Sequence, residues 1–251
     1  MKHVNWIKPI AVLLGTCIIT ACGGGGSAPT PTAEPPASAN IDLAQLQGRW
    51  ATTTGAVKGL TALVLPPQAG NATVWVLSQD ATALSKLAIT GTTTLSAAGK
   101  SYSLNTTPQT NADVTTPVSV SLTSSPKTLT LLSFGGAQAN LSQLDVLTTT
   151  AALDDVATTW TASVGQESVQ TTWSVATDGK ITGSSTSGCA WTGTLTTTAG
   201  LGLYSYSATE DCSGTQTVVK GIASLNPDKD HLTAVGTSVD ATRGLALFFK
   251  K

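Results

Sequence analysis

The sequence predicts an all-β fold: two tandem, small antiparallel barrel-like or strongly bent sandwich domains of about eight strands each, after a disordered tether. Three observations predict it. From residue 48 onward the hydropathy period is two. Val118, Val120 and Leu122 alternate with Ser119, Ser121 and Thr123, and Val169, Thr171, Trp173 and Val175 alternate with Gln170, Thr172 and Ser174. Strict alternation of this kind describes strands with one buried face. Turn residues punctuate these runs at Pro66-Pro67, Gly70-Asn71, Gly99-Lys100, Ser125-Pro126, Asp178-Gly179 and Asn226-Pro227. Finally, the order of features in the first half recurs in the second.

The chain opens on Lys2, His3 and Lys8, followed by an almost wholly apolar run from Ile10 to Ile18. A short basic region, a short apolar region and small residues at Thr20 and Ala21 describe an export signal over residues 1–21. The run is too short to cross about 30 Å of hydrocarbon as a mature helix. Ile19-Thr20-Ala21-Cys22 resembles the bacterial lipobox. That resemblance implies cleavage before Cys22 and acylation of its thiol and new amino group. Gly23 to Gly26, then a Ser/Pro/Thr/Ala stretch through Ala39, cannot bury a core and reads as a flexible tether over residues 22–39. Glycine rather than aspartate after the cysteine departs from what resembles an inner-membrane retention signal in enteric lipoproteins. The expected address is the outer membrane, on its periplasmic or its surface face.

The first β domain is expected over residues 40–150 and the second over 151–251. Short helical turns are expected at Leu43–Gln47 and Leu153–Ala157. Leu43, Leu46 and Trp50 recur as Leu153, Val156 and Trp160, an offset of 110 residues. Thr90-Gly91-Thr92 with Tyr102-Ser103 recurs as Thr192-Gly193-Thr194 with Tyr204-Ser205. Ser121-Leu122 with Pro126 recurs as Ser224-Leu225 with Pro227. Asn40-Ile41-Asp42 followed by Gly48-Arg49-Trp50 resembles the opening motif of the lipocalins, N-x-D then G-x-W. The resemblance implies a barrel floor closed by a helical turn, with Trp50 packed under it and Arg49 close by. Trp160 takes the same structural role in the second copy, where Thr158-Thr159 stand in place of Gly48-Arg49. The later T-D-Y motif and the last-strand arginine motif of that family have no counterpart, so the resemblance speaks for a barrel and not for a ligand.

Cys17 leaves with the signal and Cys22 is expected to be acylated, which leaves Cys189 and Cys212. An even pair in an exported domain reads as a disulfide. A hairpin around Thr198–Gly200 puts them almost opposite one another. Closing that loop stabilises by roughly 3 kcal/mol in the chain-entropy model. Without such a bridge, the first domain is expected to be the softer of two separately folding halves.

Chemistry is sparse. His231 is the one histidine of the mature chain, beside Asp228 and Asp230, and reads as a surface residue rather than a triad or metal member. Asp154-Asp155 and Glu210-Asp211 are adjacent acids that point apart, unlike a glycosidase pair facing across a cleft. They read as solvated loops. Charged residues are 11% of the chain, far below the ordinary ~25%. Loss of Lys2 and Lys8 leaves eleven basic against fourteen acidic side chains, a mature charge of about −3. That balance argues against nucleic acid as a partner. Trp50, Trp75, Trp160, Trp173 and Trp191 read as core. Tyr204 and Tyr206 share one strand face opposite Leu203. If Leu203 faces the core, the two rings face outward as candidate binding aromatics.

The expectation is a non-enzymatic lipoprotein without cofactor or metal, held to the membrane through acyl chains on Cys22. Its function is binding an apolar small ligand inside one or both barrels, or serving as a surface adhesin or envelope-assembly partner. An enzyme is the least favoured class. Small inward residues favour the first reading, and a contiguous apolar outer patch favours the second.

Overall fold

Strict alternation closes the chain into two separate barrels, one after the other, in the computed structural model, which describes residues 40–55, 59–106, 108–134, 137–164 and 169–251. The expected signal, tether and Cys22 lie outside the described residues. A 3-10 turn, Leu43–Leu46, leads into β1 (Gly48–Gly55), β2 (Leu60–Val64), β3 (Ala72–Ser78), β4 (Ala83–Thr90), β5 (Leu95–Ser103), β6 (Thr110–Ser124), β7 (Lys127–Phe134) and β8 (Ala137–Asp145). An α-helical turn, Leu153–Val156, leads into β9 (Thr159–Val164), β10 (Val169–Val175), β11 (Lys180–Ser185), β12 (Cys189–Thr197), β13 (Tyr204–Cys212), β14 (Thr215–Leu225), β15 (His231–Ser238) and β16 (Gly244–Lys250). Every neighbouring pair is antiparallel. β1 closes on β8, and β9 closes on β16. Closure leaves neither sheet an unpaired edge.

Each floor pairs a helical turn with a buried tryptophan, and the first turn alone of the two carries a side-chain cap. Asp42 caps the first helical turn by accepting the Ala44 N–H at 2.9 Å. Leu43, Leu46 and Trp50 then sink into the first core. The fully buried Trp50 donates its indole N–H to the Leu46 carbonyl at 2.9 Å, and Trp160 donates to Val156 at 2.8 Å. A lysine ammonium lies over each ring: Lys127 at 5.6 Å from the Trp50 centroid and Lys251 at 5.3 Å from that of Trp160. The 110-residue offset therefore marks equivalent positions.

Other expectations change. Gly99-Lys100 is no turn but lies inside β5, where the β5–β6 register shifts between Ala97 and Gly99. A Cβ on Gly99 would come within 2.1 Å of the Lys86 carbonyl oxygen, so glycine serves close strand approach here. At Asp178-Gly179 positive φ falls on Gly179 alone, with the Gly179 N–H bonded to the Ala176 carbonyl. The hairpin is a longer loop closed by a left-handed glycine, not a type I′ turn. The Tyr-Ser repeat is out of register. Tyr102 lies near the end of β5 and packs between the barrels, whereas Tyr204 opens β13 and packs inside the second one.

A likeness not predicted links two hairpins. Ser78-Gln79-Asp80-Ala81-Thr82 and Ser238-Val239-Asp240-Ala241-Thr242 form the same turn, with Ala81 and Ala241 both at φ 55°. In each, the aspartate accepts from the threonine N–H and hydroxyl, and the serine hydroxyl accepts an N–H across the turn. These hydrogen bonds hold the Asp80 and Asp240 carboxyls below the usual carboxylate range, with the serine hydroxyl the largest cause. The strands joined by these turns meet across the barrel interface. Leu63, Trp75, Leu77, Leu84 and Tyr102 pack against Ile222, Val235 and Ala246 as a third apolar core. At one end of it Tyr102 donates to the Ala241 carbonyl at 3.3 Å, Asn111 to the Thr242 carbonyl at 2.8 Å, and the Gly244 N–H to Gln109 at 3.1 Å. At the other end the Arg49 guanidinium donates to the Ser224 hydroxyl and the Leu225 carbonyl. The barrels thus lie side by side, with both floors at one end and both mouths at the other.

Candidate functional site

The interiors differ, and the difference places the candidate site. Antiparallel partners share a face of the sheet, so the β4–β5–β6 register lays out the inner wall of the first barrel in rows. Deepest are Leu95 and Val120, then Ile89, Ala97 and Val118, then Leu87, Gly99 and Val114. Above them come Ser85, Ser101 and Ala112, and at the rim Ala83, Ser103 and Thr110. The lower rows belong to the aliphatic core. The upper rows carry small side chains, and they line a cavity of about 460 Å³ at the mouth. Ser85 is 5% exposed, and its Oγ lies 2.7 Å from the Ser101 Oγ. No charged side chain lines this cavity among the described residues.

The second barrel is stoppered. Its interior holds Trp160, Trp173, Trp191, Tyr204, Tyr206 and Phe249. The Trp173 ring contacts Trp191 at 5.6 Å, Tyr206 at 5.5 Å and Phe249 at 4.9 Å between centroids. Inward glycines admit these rings: a Cβ on Gly183 would meet Trp173 at 3.0 Å, and one on Gly236 the Tyr206 hydroxyl at 2.3 Å. At the mouth Cys189 pairs directly with Cys212 in the β12–β13 register, and the two form a disulfide with Cα atoms 4.2 Å apart. Arg243 bridges to Glu210 at 3.0 Å and to the Thr217 hydroxyl at 3.1 Å.

Tyr204 and Tyr206 therefore correct the outward reading. Both are buried, and it is the even-numbered face of β13 that points inward. Leu203 precedes the strand and is buried outside its alternation, so it did not report the strand's orientation. The Tyr204 hydroxyl donates to the Ala152 carbonyl at 2.8 Å, and burial, with the Asp155 charge second, pushes its pKa up to about 12. Burial also drives the Tyr206 phenol well above its ordinary range. Its hydroxyl, with the indole N–H groups of Trp173 and Trp191, is buried without a hydrogen-bond partner among the described residues. Glu210 is another correction: it faces the Arg243 guanidinium from a largely buried position rather than standing in a solvated loop.

A second cavity of about 330 Å³ lies between the floors, bounded by Arg49, Asp145, the 146–151 linker, Asp155, Tyr204 and the 225–229 turn. Its charges are spent on one another. Arg49 stands 3.6 Å from Asp145, and Lys229 bonds to Asp155 at 2.7 Å. Burial lowers the Arg49 pKa, opposed by Asp145. This cleft reads as the seam of the two barrels. Cys189, Glu210 and Cys212 cluster closely enough for a metal, but the sulfurs are bonded to each other. His231 is exposed and bonds to its neighbour Asp230 at 2.8 Å. No family model, curated protein or solved structure matches the chain. The mouth site was missed in the sequence because serine and alanine look alike on the inner and outer faces of a Thr/Ser-rich strand. The signal was there in register: Ala83, Ser85, Ser101 and Ser103 break an inner face that is otherwise aliphatic.

Proposed function

We propose that this protein is a lipid-anchored envelope lipoprotein whose first barrel binds a small, uncharged, apolar molecule at its mouth. The observation that carries the reading is the contrast between interiors. One barrel spends its inner mouth on alanine and serine around about 460 Å³, within the range of small-molecule pockets. Its neighbour fills the same region with rings, a disulfide and an ion pair. The second barrel then acts as a rigid support, buttressing β2–β5 through the shared core. The anchor rests on Ile19-Thr20-Ala21-Cys22 after a short apolar run, and Gly23 favours the outer membrane. No helix among the described residues is long and apolar enough to cross a membrane.

The adhesin or assembly-partner reading draws less support. Leu132 and Leu144 are exposed on the first barrel, but the β7–β8 register sets them toward opposite ends of the hairpin. Val218 and Val239 are exposed as a hydrogen-bonded pair on the second barrel, and apolar side chains exposed in ones and twos make no extended patch.

The test is titration of the full chain with a neutral apolar fluorescent probe, phenylnaphthylamine. Saturable binding is expected, lost in Ala83→Trp, which fills the first mouth, and kept in Thr215→Trp at the second. Binding unaffected by Ala83→Trp, or no saturable binding, would refute the site.

A further inference from the structure

Resting on that reading, we propose that the mouth of the first barrel selects an aliphatic ligand ending in a hydroxyl, a neutral alcohol, over the carboxylate of the same length. Two hydroxyls, Ser85 and Ser101, face each other at 2.7 Å across β4 and β5. Between them they hold two protons and four lone pairs. Their mutual bond consumes one proton and one lone pair. One O–H is left to donate and three lone pairs to accept, and among the described residues no other side-chain or backbone partner is bonded to either oxygen. A ligand hydroxyl, donor and acceptor at once, matches that remainder. A carboxylate only accepts, so it engages one proton and sets its other lone pairs against serine lone pairs.

Position and charge point the same way. The serine row sits one step below the rim, and the rows beneath it carry aliphatic side chains, of which Val114 and Val118 reach the cavity wall. A ligand that buries its chain on those side chains places its polar end beside the two hydroxyls. The lining offers an anion no positive side chain among the described residues, and a buried unpaired charge is strongly disfavoured. An alkane fills the depth but leaves the spare O–H unmet.

The experiment is competition against bound phenylnaphthylamine with the full chain at neutral pH, using octanol, octanoate and octane. Octanol is expected to displace the probe at a concentration at least about tenfold lower than octanoate. In the variant Ser85→Ala with Ser101→Ala, with each competitor referred to the variant's own probe affinity, the advantage of octanol over octane should shrink about fivefold, the worth of one neutral hydrogen bond. Circular dichroism shows whether the variant is folded. If it is not, Ser101→Ala alone, at a partly exposed position, carries the same comparison. Octanoate competing as well as octanol, or an advantage of octanol over octane unaffected by the serine substitutions, would overturn this proposal while leaving the binding site in place. Absence of probe binding would overturn both.

Discussion

Arg49 on the first barrel donates to the Ser224 hydroxyl on the second, and so ties the two floors together. It also donates to the Leu225 carbonyl. Its side chain is 11% exposed, with Asp145 as its counter-charge. With the third apolar core and the three hydrogen bonds at the mouths, this clasp joins the barrels along their length. Arg49→Ala removes a charge-assisted bond and leaves Asp145 and Ser224 short of partners. A loss of about 1.5–3 kcal/mol is expected, read as a lowered melting temperature. The sequence alone predicts halves that fold separately. A fragment of residues 40–150 would bare Leu63, Trp75, Leu77 and Leu84, so the full chain is now expected to unfold in one transition by tryptophan fluorescence and circular dichroism together. Two resolved transitions in the unmodified chain would contradict this coupling.

The disulfide crosslinks residues 23 apart and closes the mouth of the second barrel. Replacing both cysteines with alanine should cost roughly 3 kcal/mol, visible as a shifted denaturant midpoint. Because the unfolding is coupled, reductant should lower the single transition of the full chain and not only a part of it. A midpoint indifferent to reductant would count against the bridge as a stabilising feature.

Tyr206 offers a substitution expected to help. Its hydroxyl is buried without a partner among the described residues, and an unmet buried hydroxyl costs about 1–3 kcal/mol. Tyr206→Phe should leave stability unchanged or raise it by about 1 kcal/mol. Gly236→Ala should destabilise by about 1–3 kcal/mol, since its Cβ would sit 2.3 Å from that hydroxyl. The same change should cost less in the Tyr206→Phe background. A double-mutant cycle of denaturation free energies measures the difference. A clear loss of stability in Tyr206→Phe alone would mean the hydroxyl has a buried partner.

High pH should unfold the protein. Tyr204 has its pKa raised from 10.0 to about 12, chiefly by burial, and burial raises Tyr102 and Tyr206 as well. A phenol that holds its proton more tightly when folded favours the folded state less once the unfolded chain ionises. The stability these groups contribute is full below pH 10 and falls as pH rises above it, the Tyr204 share being lost by about pH 12 and the Tyr206 share still falling beyond that. Tyrosinate absorbance should therefore appear together with loss of β-sheet circular dichroism, not before it. Full tyrosinate absorbance in a folded barrel would refute this.

The architecture was legible because closure needs only period two and turns, and both are written plainly in the chain. The paired helical turns and tryptophans announced the duplication, and hairpin arithmetic brought Cys189 opposite Cys212. Elsewhere local signals misled. Gly99 looks like a turn residue, but its lack of a Cβ serves close strand approach. Leu203 is a poor guide to the orientation of Tyr204, because it lies outside the strand. The Arg49 clasp and the mouth cavity depend on contacts between distant strands. A row such as Ser85, Ser101 and Ala112 exists only once β4, β5 and β6 are in register. The shared S-x-D-A-T turns were readable, but nothing in their sequence says that the strands they join pack against each other.

The most direct measurement is anomalous diffraction from crystals of the protein soaked in a bromine-tagged aliphatic alcohol. The expected result is a bromine peak inside the first barrel near Val114 and Val118, with the ligand oxygen within hydrogen-bonding distance of Ser85 or Ser101. A peak in the cleft beside Arg49 and Asp145, or none in the first barrel at saturating alcohol, would contradict the account.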